Sequence, residues 1–147
     1  MIYETKSAAQ TKKIAALFAK KIIATKPGKG AFVIALKGDL GAGKTTFMQG
    51  FMKALGTRGK VMSPTFTLLR SYRIKAERFK DVHHFDCYRI NNVEEMKELK
   101  FKELLKNPEN IIVVEWPERI ATLLPRSRII VSLGYGNTLN ERTITVT

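Results

Sequence analysis

The chain has 147 residues, 44% of them apolar, which corresponds to one ordinary domain with a single core. No apolar run approaches the roughly 18 residues that a membrane helix requires. The single cysteine, Cys87, excludes a disulfide framework and a zinc site built of several thiolates. We therefore expect one cytoplasmic domain over residues 1–147 that does not enter a membrane.

Net charge is the unusual bulk property. Lys and Arg number 26 against 13 Asp and Glu, which gives a formal net charge of +13. A field of this sign attracts polyanions such as nucleotides, nucleic acids and acidic proteins. The same surplus also favours plain solubility, so the charge indicates candidate partners and leaves the fold open.

The first half of the chain alternates helix and strand patterns. A capping-box pattern at Ser7 and Gln10 predicts a helix that ends at Pro27. The uninterrupted apolar run 31–36 predicts a strand buried on both faces. After a Gly-rich turn, helical periodicity predicts a second helix over 44–55 that stops before a glycine.

The second half adds further strands around another buried run. Loose alternation over 65–74 and 79–85 predicts an antiparallel hairpin, and the apolar run 111–114 predicts a second buried strand. The remaining predicted elements are a helix from Asn92 to about Leu105, a short helix over 117–124, and closing strands over 128–133 and 142–146. Buried strands separated by helices predict an α/β fold with a mixed, mainly parallel sheet flanked by helices.

Residues 38–45, Gly-Asp-Leu-Gly-Ala-Gly-Lys-Thr, match the phosphate-loop pattern G-x-x-x-x-G-K-[ST] at every fixed position. Glycines let successive amides turn toward phosphate oxygens, and the following helix directs its positive end at the same anion. Because the motif lies between a buried strand and a helix, a chance Gly-rich turn is a poor alternative, and we predict a P-loop NTPase fold. The predicted nucleotide-binding residues are Asp39, Leu40, Gly41, Ala42, Gly43, Lys44, Thr45 and Thr46.

Two acids at strand ends are candidates for the remaining catalytic parts. Glu115 directly follows the buried run 111–114, where a Walker B acid holds Mg²⁺ beside the P-loop. Asp86 ends the preceding predicted strand and could bind Mg²⁺ through water or position the attacking water. The alternatives are a solvent-facing acid for Glu115 and a cap or turn residue for Asp86. His83 and His84 beside Asp86 lack the further ligand that a metal cluster needs.

Weaker signals come from a hydroxyl-rich loop and a tryptophan. The loop 63–67 follows the P-loop helix, where Thr65 and Thr67 could sense a γ-phosphate through Mg²⁺, although Ser-Pro also marks a plain turn. Trp116, which follows Glu115, is either a core residue or part of the nucleotide site or a partner surface.

A basic segment over 70–80 carries five Lys and Arg residues against Glu77 alone, with Tyr72 and Phe79 interleaved. Such a segment can contact nucleic-acid phosphates, which makes it a candidate tRNA surface. The alternative is a solvated, exposed hairpin without a partner.

Four motifs together resemble one family. GDLGAGKTT at 38–46, SPTFTL at 63–68, HFDCYR at 84–89 and VVEWPER at 113–119 occur in the order and spacing of the bacterial TsaE (YjeE) family. That family is the ATPase component in biosynthesis of threonylcarbamoyladenosine on tRNA. The resemblance covers nearly the whole chain, whereas the P-loop alone would identify only a superfamily.

The resemblance implies a compact single-domain ATPase with weak intrinsic turnover, which binds ATP and Mg²⁺ and releases ADP. Its partners would be a TsaD–TsaB pair, which transfers the threonylcarbamoyl group to adenosine 37 of tRNAs that decode ANN codons. ATP hydrolysis would reset that complex between cycles.

The resemblance also implies roles for individual residues. Thr45 and Glu115 would be Mg²⁺ ligands, and Asp86 would be the catalytic acid near the γ-phosphate. Thr65 and Thr67 would belong to the switch-like loop, in which Thr67 is a catalytic candidate together with Lys44, and Trp116 would lie beside the site. The stretch 134–142 is looser than the family's Gly-Arg ending, which leaves the base-contacting residues open.

Three rival functions remain on sequence alone. A small P-loop kinase would need an acceptor pocket and an Arg-rich lid, and the chain is short for both. A GTP-dependent switch would carry an N-K-x-D motif, which is absent. A nucleic-acid binder could use the positive charge directly, with the nucleotide as a regulator only.

Overall fold

The computed structural model describes residues 1–57 and 68–147. The helices are α1 (Ala8–Ile23), α2 (Lys44–Ala54), α3 (Glu95–Glu98), α4 (Phe101–Lys106) and a 3-10 helix (Pro117–Leu123). The strands are β1 (Ile2–Thr5), β2 (Phe32–Lys37), β3 (Leu69–Arg73), β4 (Asp81–Asp86), β5 (Asn110–Glu115), β6 (Ile129–Tyr135) and β7 (Arg142–Val146). No helix in this part of the chain is long and apolar enough to cross a membrane.

All seven strands join one sheet in the order β1-β7-β6-β2-β5-β4-β3. The four strands β6, β2, β5 and β4 pair in parallel, while β3, β7 and β1 are added at the edges by antiparallel pairing. The apolar strands β2 and β5 lie at the centre because layers on both faces remove their side chains from water. The predicted mixed, mainly parallel sheet with an antiparallel hairpin is confirmed.

Helices cover both faces of the sheet. On one face α1 and α2 bury Phe47 and Phe51 against Ile34, Leu36 and Val113 of the central strands. On the other face, α3, α4 and the 3-10 helix enclose a second cluster that includes Phe85, Phe101 and Ile112. Helix α2 of the first layer begins directly after the predicted P-loop residues 38–43.

Helix α1 begins as predicted and ends earlier than predicted. The Ser7 hydroxyl accepts from the Gln10 amide at 3.2 Å, and Gln10 Oε1 accepts from the Lys6 amide at 2.7 Å. The helix stops at Ile23 rather than near Pro27, because the Thr25 hydroxyl and the Thr25 amide both donate hydrogen bonds to the Ile22 carbonyl.

The single helix predicted from Asn92 to Leu105 is wrong, since two short helices meet there at Lys100, which has a φ of 55°. Met96 and Phe101 on either side of the break are both 1% exposed. Five residues of continuous helix would rotate them to different faces, so the break lets both side chains enter the same core. Strand β1 was missed, because its four residues include the exposed Ile2 and carry no buried run.

Candidate nucleotide-binding site

The carboxyl ends of β2, β4 and β5 open into a cleft of about 530 Å³, the position where ligands gather in open α/β sheets. Of the predicted nucleotide-binding residues, all but Ala42 line this cleft, and Ala42 is buried beneath the loop. Asp86, Glu115 and Trp116 line the same cleft. Thr65 and Thr67 lie outside the described residues.

The P-loop backbone adopts conformations that favour glycine. Gly41 has a φ of 80° and Gly43 a φ of 102°, a left-handed region in which side chains are strained. Side chains of the C-terminal strands contact the loop carbonyls: Tyr135 Oη donates to the Leu40 carbonyl at 2.5 Å. Arg142 Nη2 donates to the Gly41 carbonyl at 3.3 Å. The C-terminal hairpin thus supplies hydrogen bonds to two consecutive carbonyls of the loop.

Helix α2 opens onto the cleft without a side-chain cap. The amides of its first turn have no partner within the helix, and the helix dipole concentrates positive charge at the same end. Lys44, Thr45 and Thr46 form this turn. The arrangement suits an anion at the helix N-terminus.

Lys44 supplies a buried positive charge at this point. Its side chain is 8% exposed, and Nζ donates to the carbonyls of Gly38 and Asp39. Nζ also lies 4.8 Å from the centroid of the Trp116 ring. Among the ion pairs of the described residues, none involves Lys44. A buried ammonium with only carbonyl and ring partners fits the phosphates of a nucleotide.

Glu115 is held by a buried histidine. His84 Nε2 donates to Glu115 Oε2 at 2.8 Å, and both side chains are almost fully buried. His84 Nδ1 has no hydrogen-bond partner in the described structure. One carboxylate oxygen is thus committed to His84, while Glu115 still faces the cleft in which a metal ion would meet the Thr45 hydroxyl. These oxygen donors fit Mg²⁺.

Asp86 pairs in register with Glu115 across the parallel strands β4 and β5. Burial raises the pKa of the Asp86 carboxyl, and the charge of Glu115 raises it further. A hydrogen bond from the Tyr88 amide to Oδ1, at 3.0 Å, and the charges of His84 and Lys44 act in the opposite direction. A carboxyl group with a raised pKa is a better proton acceptor than an ordinary aspartate.

Trp116 turns the chain out of β5 in a left-handed conformation, with a φ of 55°. Its ring packs on Tyr88 with a centroid separation of 4.9 Å and on the Lys44 ammonium. The side chain is half-buried: it lines the cleft and also packs against the second core cluster.

Comparisons with known proteins identify the family. The family model described as "Threonylcarbamoyl adenosine biosynthesis protein TsaE" matches residues 5–144. This chain belongs to the TsaE family. The TsaE of Bacillus subtilis is 37% identical over 144 residues, which cover 98% of this chain and 79% of that protein.

Other relatives and a solved structure agree with this membership. The TsaE of Haemophilus influenzae is 38% identical over 105 residues, covering 71% of this chain and 64% of that protein, just under two thirds of its length. The TsaE of Rickettsia prowazekii is 42% identical over 125 residues, covering 84% and 79%. The crystal structure of Bacillus YdiB superposes with a TM-score of 0.70 at 30% identity, covering 99% of this chain and 83% of that one. The P-loop NTPase-like fold is thereby confirmed.

Several cleft residues of this TsaE family member were not singled out by the sequence. Tyr88 and Arg89 belong to the HFDCYR motif, which drew attention to Asp86 alone. The other residues come from α1 and from the stretch 134–142, whose looser match to the family ending was the available signal. The additional lining residues are Ala8, Thr11, Tyr88, Arg89, Asn140 and Arg142.

The remaining candidates lie away from the cleft. His83 faces the opposite side of β4, where Nδ1 lies 2.7 Å from the Ser71 hydroxyl and burial lowers its pKa. No three His, Cys, Asp or Glu side chains group into a metal site within residues 1–57 and 68–147. On the basic segment 70–80, Phe79 is buried in the core and Arg73 pairs with Asp81 at 2.9 Å. Phe79 therefore cannot stack on a base there.

Proposed function

We propose that this protein is an Mg²⁺-dependent ATPase that assists the formation of threonylcarbamoyladenosine on tRNA. One observation carries the proposal: the buried Lys44 ammonium and the uncapped start of α2 face the same cleft as Glu115 and Asp86. A single cleft thus offers hydrogen-bond donors for phosphate oxygens, oxygen ligands for a metal ion and a proton acceptor. Family membership supports the pathway.

In the proposed mechanism, the P-loop amides and Lys44 bind the β and γ phosphates of ATP. Mg²⁺, held by Thr45 and Glu115, would neutralise charge on these phosphates. Asp86 orients the attacking water, and its raised pKa lets it accept the proton as the water attacks. Phosphoryl transfer depends mainly on positioning and electrostatics, which is what these groups supply.

Weak turnover by the isolated protein and activation by a TsaD–TsaB-like complex in the cytoplasm complete the proposal. Hydrolysis would reset that complex after each transfer, with ADP as the bound product. A pull-down with and without ATP tests this step. Recovery of a TsaD–TsaB-like pair supports it, while failure to recover either protein in both conditions contradicts it.

The nucleotide site is tested with matched variants. Lys44→Ala should abolish tight ATP binding in calorimetry, because it removes the buried ammonium, whereas Asp86→Ala should bind ATP but lose hydrolysis. Lys37→Ala is the control, since Lys37 is exposed at the end of β2 and does not line the cleft. ATP binding by Lys44→Ala at the parent's affinity would refute the mechanism.

A further inference from the structure

A second concave surface lies between the outer faces of α1 and α2 and shares no lining residue with the nucleotide cleft. It encloses about 910 Å³ and is lined by one face of each helix. We call it the lysine groove, and its charged residues are Lys12, Lys13, Lys20 and Lys53.

The charge of the lysine groove is entirely positive. All four lysines are exposed, and none forms an ion pair in the described structure. Neither α1 nor α2 contains an Asp or Glu, so no acid on the two helices offsets them. On α1 the three lysines occupy the same face, at positions 12, 13 and 20. Four unpaired ammonium groups around one depression attract a polyanion.

The floor of the groove is made of small residues. Ala9, Ala16 and Ala54 line it, and Gly50 lies directly under the Lys12 backbone. A Cβ atom at Gly50 would lie 2.5 Å from the Lys12 carbonyl oxygen, which shows how closely the helices approach. The small side chains therefore leave space between the lysines, which a phosphate chain could occupy.

The composition distinguishes a nucleic acid from a protein partner. Protein interfaces are enriched in aromatic residues, Met and Arg and depleted in Lys, whereas the groove contains Lys and no aromatic residue, Met or Arg. Without aromatic side chains it offers no platform for stacking single-stranded bases. Lysines contact phosphate as point charges, and such contacts do not depend on the nucleotide sequence.

We propose that the lysine groove binds the phosphate backbone of a nucleic-acid duplex. The groove adjoins the nucleotide site, because Ala8 and Thr11 of α1 line the cleft while Ala9 and Lys12 line the groove. A duplex seated there would contact the helix that also borders the nucleotide. The proposal does not depend on ATP hydrolysis, and its test separates the two.

The test measures binding of the full chain to a fluorescent 20-base-pair RNA hairpin by anisotropy at several salt concentrations. Each phosphate contact to a duplex contributes roughly 0.9 to the slope of log K against log salt. The triple variant Lys13→Gln, Lys20→Gln and Lys53→Gln should therefore flatten the slope by about 2–3. A DNA duplex of equal length shows which duplex the groove prefers, and the same flattening is expected with both.

The control is a triple variant of equal charge change on the opposite layer, Lys97→Gln, Lys102→Gln and Lys106→Gln. The control variant should flatten the slope by less than the contribution of one phosphate contact. Both variants should keep the parent's ATPase rate. An unchanged slope in the groove variant overturns the proposal, as does equal flattening in the control, which would make net charge the cause. Loss of a protein partner without any change in the RNA slope would assign the groove to an acidic protein instead.

Discussion

The buried pair of His84 and Glu115 predicts a definite pattern of stability changes. Glu115 is 5% exposed and its Oε2 accepts from His84 Nε2 at 2.8 Å. His84→Phe keeps the approximate ring volume but removes the donor. Glu115 is then left as a buried carboxylate without its hydrogen bond, which is the costly way to disrupt such a pair.

The magnitude follows from two opposing contributions. Breaking a buried pair by removing one partner costs about 3–5 kcal/mol. The same substitution removes His84 Nδ1, which is buried without a partner in the described structure, and an unsatisfied group of this kind costs about 1–3 kcal/mol. The difference between these ranges spans about 0–4 kcal/mol, so His84→Phe should lower the free energy of unfolding by about 2 kcal/mol.

Urea unfolding of a double-mutant cycle provides the measurement. His84→Phe combined with Glu115→Leu should recover most of the loss, because replacing both partners of a buried pair with apolar groups is often neutral. His84→Gln is the matched control, since its amide can still donate to Glu115. If His84→Phe were as stable as the parent, or if the two losses simply added, the pair would contribute nothing and the reasoning would fail.

Three further outcomes are expected. Gly50→Ala should lower the free energy of unfolding by about 1–3 kcal/mol, because the added Cβ meets the Lys12 backbone and overpacks the contact between the helices. This loss should outweigh the gain of about 1 kcal/mol in helix propensity. Gly134→Ala, where a Cβ meets nothing within 4 Å, should stay near the parent in the same urea assay. Asp86→Asn should be more stable than the parent at pH 7 but not at pH 3. The raised pKa of Asp86 means that the parent's stability falls as pH rises and the carboxyl ionises, a loss that Asn avoids; an equal gain at both pH values would exclude this cause. Burial raises the pKa of the Cys87 thiol to about 12, so a thiol reagent at pH 8 should label it only in urea, and rapid labelling of the native protein would contradict this.

The parts of the fold that the sequence predicted are those determined locally. The P-loop motif lies between the buried strand β2 and helix α2, so eight consecutive residues and their neighbours suffice to identify it. Strand β5 is apolar throughout its centre and could be identified in the same way. Glu115 could be predicted as a site residue from its position at the end of that strand, without knowledge of any distant contact.

The missed features depend on contacts between distant parts of the chain. His84 and Glu115 are 31 residues apart, and only the parallel register of β4 and β5 brings them together. The sequence showed His84 close to Asp86 along the chain but not that it holds Glu115. The break at Lys100 follows likewise from the common core that Met96 and Phe101 enter.

The C-terminal hairpin of β6 and β7 contacts the candidate anion site although it carries no phosphate-binding motif. Tyr135 lies 95 residues from Leu40 along the chain, yet its hydroxyl fixes the Leu40 carbonyl. Because the carbonyl and amide of one peptide plane point in opposite directions, fixing that carbonyl also orients the Gly41 amide. Arg142 acts on the next carbonyl of the loop and stacks on Tyr135 at 5.1 Å. The motif therefore specifies which residues form the phosphate loop, and the hairpin supplies hydrogen bonds that orient its peptide planes.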